Sequence, residues 1–330
     1  MRSRSAQPEI QLEVFQINRV PSGNEPHPSS VHTTWKFVAL DDGRLLVYAE
    51  YGDPDGEPLI YCHGFPSSGR EAMMVHPVAM AEGARIIAPN RPGFGRSDHQ
   101  PDRTILDWAA DVASLADHLE LDGIGLIGLS GGAPYALACV QQIPERISAC
   151  ALVCPLGPIY LEEVLAEMDW TARVNFSVGH RVPLISEVMF GPMTAGLLSW
   201  WPGLMDHYLA ASAPIADRTE MDDAHIRRIL EQCIQDALEN GARGPRQDVA
   251  LYTSDWEISM ESIAMPIDLW HGEADGTVPV AHSRWYASNL PNARATYLAD
   301  EGHYSLPLRH SREIIRGLLG QPNDQPNAQR

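Results

Sequence analysis

Lysine is almost missing from this chain. Its 24 basic residues stand against 43 acidic ones, and Lys36 is the only lysine among them. The formal charge of −19 leaves no basic stripe, which argues against a nucleic-acid backbone or an anionic membrane as partner. Cysteine is scarce as well. The five, Cys62, Cys139, Cys150, Cys154 and Cys233, form no C-x-x-C and no Cys/His pattern at metal-ligand spacing. Cys150 and Cys154 stand four apart, but their setting, ISACALVCP, reads as a strand, so all five are taken as reduced core residues. No apolar run is long enough to span a bilayer. The basic start MRSRS is followed by QPEIQLEVF, where a signal peptide would need its apolar centre. The expectation is a soluble, cytoplasmic protein. Internal repeats are absent.

What is present is a long chain with enough apolar residues, 44% of 330, to build a sizeable core. Residues 1–32 hold four prolines and little periodicity, which suggests an N-terminal arm. TWKFVAL, Asp41-Asp42-Gly43 and RLLVYAEYG then read as an antiparallel hairpin. Strands follow at 58–64, 85–90, 123–129 and 147–155, with helices expected over 70–82, 102–121 and after residue 132. This alternation implies a mostly parallel sheet of the α/β class, covered by helices on both faces. The rhythm stops at Pro155. Residues 156–262 read as helical and are rich in aromatics and methionines. Within them Thr219-x-x-Asp222 resembles an N-terminal cap for one helix with a stripe of Ile226, Ile229, Leu230, Cys233, Ile234 and Leu238. Strands at 265–272 and 295–300 resume the pattern, with helices from about Val280 and from about Leu308 to Leu319. The domain expectation is therefore a core of 33–155 and 263–319, an inserted helical cap at 156–262, and a disordered tail at 320–330. An insertion at that point would hang over the carboxyl ends of the strands, where open α/β sheets bind ligands.

The stretch GIGLIGLSGGAPYALACV (123–140) organises the chemistry. A buried strand runs into a helix through Gly128-Leu129-Ser130-Gly131-Gly132, a G-x-S-x-G pattern. So sharp a turn strains its middle residue, demands small neighbours and presents Ser130 at a helix amino end. A serine needs a base, and a base works best when a carboxylate orients it. Among 13 histidines, His303 stands out because Asp300-Glu301-Gly302-His303 follows the last expected strand, on the same sheet edge as Ser130. Asp275 lies in the loop after the preceding strand, in HGEADGTVP, whereas Glu273 and Asp268 are less suitably placed. No carboxylate lies in the loop immediately after ISACALVCP, the other strand end from which an acid could reach. The backbone N–H groups of Gly131 and of Phe65, in His63-Gly64-Phe65-Pro66, can stabilise an oxyanion. His63 reads as structural. The glycine-rich loop 90–98 fits no phosphate-binding spacing.

With HGFP (63–66), NRPGFGRSD (90–98), GLSGG (128–132), HGEADGTVP (271–279) and EGH (301–303) in this order, the chain resembles the α/β-hydrolase superfamily, with an inserted cap. The resemblance runs from about Thr34 to Leu319. It implies about eight strands, a Ser130–His303–Asp275 triad, an oxyanion hole from Phe65 and Gly131, and no metal or organic cofactor. Serine rather than aspartate at 130 speaks against haloalkane dehalogenase or epoxide hydrolase chemistry. Gly131 departs from the bulkier residue of many members, which suggests a wider pocket floor.

The expected activity is hydrolysis of a carboxylic ester, thioester or lactone of a small, largely apolar substrate through an acyl-enzyme. Carbon–carbon or amide hydrolysis, perhydrolysis, acyl transfer and non-hydrolytic cyclisation stay open, as does a ligand-binding module on the same fold. The sequence is compatible with a homodimer through the cap or the arm. Phe176, Met193, Trp200 and Trp201 are the candidate lining residues of an apolar pocket. Trp200→Ala and Trp201→Ala are each expected to shift chain-length preference across a series of acyl esters. Unchanged preference in both removes the lining role.

Overall fold

The computed structural model describes residues 33–181 and 213–322. Eight strands form one sheet: β1 (Lys36–Ala39), β2 (Leu45–Gly52), β3 (Glu57–Cys62), β4 (Ala84–Pro89), β5 (Ile124–Leu129), β6 (Ile147–Val153), β7 (Ile267–Gly272) and β8 (Ala293–Leu298). Their order is β1-β2-β4-β3-β5-β6-β7-β8. The β1–β2 and β2–β4 pairs are antiparallel and all others parallel.

Position in the sheet follows composition. The central strand β5, IGLIGL, is buried at every residue, as expected of a parallel strand covered on both faces. The edge strands differ: β1 buries only Val38, and β8 is at best half-buried. Lys36 on β1 pairs with Glu50 of β2 at 2.8 Å, placing the only lysine at an exposed sheet edge.

One face is covered by α2 (Trp108–His118), α3 (Ala133–Gln142) and α9 (Val280–Asn289), through Trp108, Val112, Leu115, Leu137 and Tyr286. The other is covered by α1 (His76–Glu82) and α11 (Ser311–Leu318), through Ala79, Ile314, Ile315 and Leu318. Between β6 and β7 the chain leaves the sheet. The described residues there form α4 (Glu162–Leu165), α5 (Trp170–Arg181), α6 (Ile215–Met221), α7 (Ala224–Ala237) and α8 (Arg243–Tyr252). One further helix, α10 (Ser305–Arg309), follows β8.

Several boundaries differ from the sequence expectation, each for a local reason. The helix expected over 70–82 is a 3-10 segment, Gly69–Val75, followed by α1. The restart falls at Pro77, which has no N–H to continue the first segment. The helix expected from residue 102 starts at Trp108. Asp102 takes a left-handed backbone (φ 54°), and Thr104 and Asp107 exchange side-chain-to-backbone bonds of 2.7 and 3.2 Å that hold a turn. The helix expected after Thr219-x-x-Asp222 is capped instead by Asp223, whose carboxylate accepts from His225 N at 2.7 Å. Thr219 lies inside α6, its hydroxyl donating to Ile215 O. The final expected helix is two, α10 and α11. The arm at 1–32, most of the tail, and Met193, Trp200 and Trp201 lie outside the described residues.

Candidate active site

The strand order reverses between β3 and β5, which are neighbours although β4 separates them in sequence. Their carboxyl ends therefore open into one crevice, the usual ligand position in such sheets. Ser130 stands at the end of β5 with φ 52°, in the left-handed region that costs a non-glycine residue about 1–3 kcal/mol. The turn is held from outside by Leu156 N, which donates to Ser130 O at 3.0 Å. A Cβ on Gly132 would overlap the carbonyl of Cys62, so the turn sits directly against the end of β3.

His303 and Asp275 lie side by side. His303 Nδ1 lies 2.7 Å from Asp275 Oδ2, and both side chains are buried. The other carboxylate oxygen, Oδ1, accepts from Thr277 N and Val278 N, each at 2.8 Å. Burial alone would push Asp275 up, but the charge of His303 and hydrogen bonds from His271 and His303 hold it well below the usual carboxylate range. An ionised carboxylate only accepts, so Nδ1 of His303 carries the proton and Nε2 keeps its lone pair. Burial pushes the His303 imidazole down, yet Asp275, with smaller contributions from Asp217 and Glu71, leaves it above its ordinary value.

The loop that follows β3 is fixed group by group. Gly64 N donates to Glu71 Oε2 at 2.7 Å, and Gly64 O accepts from Arg91 Nη2 at 2.9 Å. Arg91 Nη1 also donates to His63 O. The backbone of Arg91 donates to His63 Nε2 at 3.3 Å, so the Nδ1–H of His63 points to Gly64 O. Burial holds His63 well below the ordinary imidazole value, and it is a neutral scaffold residue. With both polar groups of Gly64 fixed, the orientation of the next peptide, which carries Phe65 N–H, is set.

Behind this loop lies a group the sequence did not announce. Arg91, Arg103, Tyr135, Asp248 and Tyr252 are all buried. Asp248 accepts from Arg91 Nε (2.8 Å), Tyr135 Oη (2.6 Å) and Arg103 Nη2. Tyr252 Oη donates to Gly131 O at 2.8 Å. Asp248 and Tyr252 stand four apart on α8, on one face of the helix, and that spacing was the only available signal.

The same tyrosine corrects the expectation for Gly131. A Cβ there would lie 2.7 Å from Tyr252 Oη and 2.8 Å from Phe65 Cβ. The missing side chain leaves no widened floor, because Tyr252 and Phe65 occupy its place. Phe176, on α5, is half-buried and packs on the core.

The residues best suited to hold a metal among those described are Cys154, His271 and Asp275, whose ligand atoms lie within 4.8 Å of one another. Sequence spacing hid this trio. His271 Nε2 donates to Val278 O at 2.8 Å and Asp275 holds His303, while burial pushes the Cys154 thiol well above its ordinary value.

A family model described as alpha/beta hydrolase fold matches residues 57–188. A non-heme chloroperoxidase of Streptomyces lividans is 34% identical over 282 residues, covering 80% of this chain and 91% of that protein. The chain belongs to the α/β-hydrolase family. Solved structures similar to this α/β-hydrolase include a bromoperoxidase from Bacillus anthracis, with TM-score 0.65 and 20% identity over 87% of this chain and all of that one. An esterase from Exiguobacterium antarcticum gives 0.58 and 19% over 86% and 97%. Both share the fold.

Gly131→Ala in this hydrolase is expected to slow turnover by about 10- to 100-fold for short and long acyl groups alike, because it displaces the Phe65 loop. Steady-state kinetics across an acyl series checks this, and selective loss of long acyl groups would restore the wide-floor reading.

Proposed function

We propose that the protein is a serine hydrolase acting on carboxylic esters, thioesters or lactones through an acyl-enzyme. The observation that carries this reading is the strained Ser130 at the switch point, on the same sheet edge as a histidine whose Nδ1 is held 2.7 Å from a buried carboxylate. Ser130 Oγ attacks the substrate carbonyl carbon while His303 Nε2 takes its proton. The carbonyl oxygen becomes an oxyanion facing the N–H groups of Phe65 and Gly131. Collapse of the tetrahedral intermediate breaks the bond to the leaving group, which receives the proton from His303. Water then attacks the acyl-enzyme with His303 again as base, and the acid departs. Asp275 holds the imidazole and stabilises its protonated form.

A second reading, perhydrolysis, is supported by the similarity to a non-heme chloroperoxidase. In it hydrogen peroxide replaces water in the second step, and the product is a peracid that can oxidise a halide.

The test is the intact mass after treatment with a fluorophosphonate, beside Ser130→Ala. One adduct on the native protein and none on the variant is the expected result, and no adduct on either would overturn the acyl-enzyme reading. An ester panel with and without hydrogen peroxide then separates acid from peracid as product.

The pH dependence has a definite sign. His303 acts as base only when neutral, so kcat/KM is expected to fall as the pH drops through its raised pKa. Asp275→Asn removes the negative charge that raises that pKa. The fall should then move to lower pH, with a plateau rate lower by about 10³- to 10⁴-fold. A pH–rate profile of both proteins checks the direction.

A further inference from the structure

His303 is held from two sides, and only one belongs to the triad. Asp275, in the loop after β7, holds the ring. Asp217, on α6 in the insertion, holds the main chain. Its carboxylate is buried and accepts from His303 N (2.9 Å), Tyr304 N (3.0 Å) and Ser305 N (2.8 Å). A Cβ on Gly302 would overlap both carboxylate oxygens of Asp217, so the glycine before His303 is the space the acid occupies. The two segments are also joined by Glu220 of α6 and Arg309 of α10, at 2.7 Å.

A buried carboxylate with three backbone donors is costly to bring out of water, and it is retained here against the one loop that carries the base. We propose that Asp217 is a positioning residue of the active site, a carboxylate delivered by the insertion that fixes the main chain at His303 and adds its charge to the imidazole's surroundings. The inference rests on the acyl-enzyme reading.

Among the described residues, three carboxylates face His303. Asp275 comes from the β7 loop, Asp217 from α6, and Glu71 from the 3-10 segment after β3, and all three favour the protonated ring against its burial. Burial pushes Glu71 itself upward. The ring of Tyr304 lies edge-on to the imidazole, with centroids 5.4 Å apart. The Cys154 thiol, which reaches Gly302 O at 3.9 Å, is pushed well up by burial and carries no charge near neutrality. Removing the charge at 217 therefore lowers the pKa of His303.

The experiment measures the rate of fluorophosphonate attachment to Ser130 against pH, which requires no knowledge of the substrate. Asp217→Asn keeps the side-chain shape and removes the charge. The expected result is a plateau about tenfold lower, from a displaced base, and an acid limb moved to lower pH. Glu220→Gln loosens the same docking without changing the groups around His303, and its acid limb should stay in place. Should Asp217→Asn not fold, Gly302→Ala carries the test, because its methyl group drives the carboxylate away, with the same two effects expected. A folded Asp217→Asn or Gly302→Ala with the acid limb unmoved overturns the inference alone. No adduct on the native protein overturns the acyl-enzyme reading and this inference with it.

Discussion

Much of the architecture depends on one buried ion pair, Arg91 with Asp248, at 2.8 Å. Both side chains are fully removed from water, a situation tolerated only when every remaining donor and acceptor is matched. The matching partners form the candidate site. Arg91 spends its other donors on the carbonyls of His63 and Gly64, while Asp248 collects Tyr135 and Arg103. Removing Asp248 would leave Arg91 and Arg103 buried without their counter-charge, a loss of about 3–5 kcal/mol. The loop carrying one proposed oxyanion donor and the insertion helix α8 are thus parts of a single electrostatic unit.

That unit explains why the site was only partly legible. Ser130, His303 and Asp275 were picked out because each sits after an expected strand in a loop of recognisable composition. Local pattern was enough. Arg91, Asp217 and Asp248 carry no such mark. An arginine in a glycine-rich loop and acids on polar helices look like solvated surface, and the Asp217–His303 and Arg91–Asp248 pairs span 86 and 157 positions of the chain. Long-range pairing of charges has no periodicity to detect. The element boundaries failed for a different reason. Helical spacing runs unbroken through His76-Pro77 and through Thr219–Asp223, so only the missing N–H of Pro77 and the backbone angles of the cap decide where one helix stops. The eight strands were easier, because runs such as IGLIGL leave little alternative to a doubly covered strand.

Two strained turns lie side by side at the same edge of the sheet. Ser130 and Cys154, at the ends of adjacent strands β5 and β6, both take left-handed backbones, with φ of 52° and 45°. Neither is a glycine, so each conformation is imposed by its surroundings. Leu156 N bonded to Ser130 O, and Cys154 N bonded to Trp270 O at 2.8 Å, show how neighbouring strands impose it. The family's fold supplies a rigid platform on which two unfavourable turns can be held without loosening the sheet.

The space beside Gly131 has a consequence for how this protein can be altered. The residue after Ser130 and the hydroxyl of Tyr252, 121 positions later, compete for one volume. A larger residue at 131 requires a smaller one at 252, and the change reaches Asp248 through α8. The elbow and this part of the insertion are sterically coupled. Exchanging the insertion with that of a relative, while leaving the elbow untouched, produces either a hole or a collision beside Ser130. The unit that can be transplanted is therefore a pair of distant segments, not a domain.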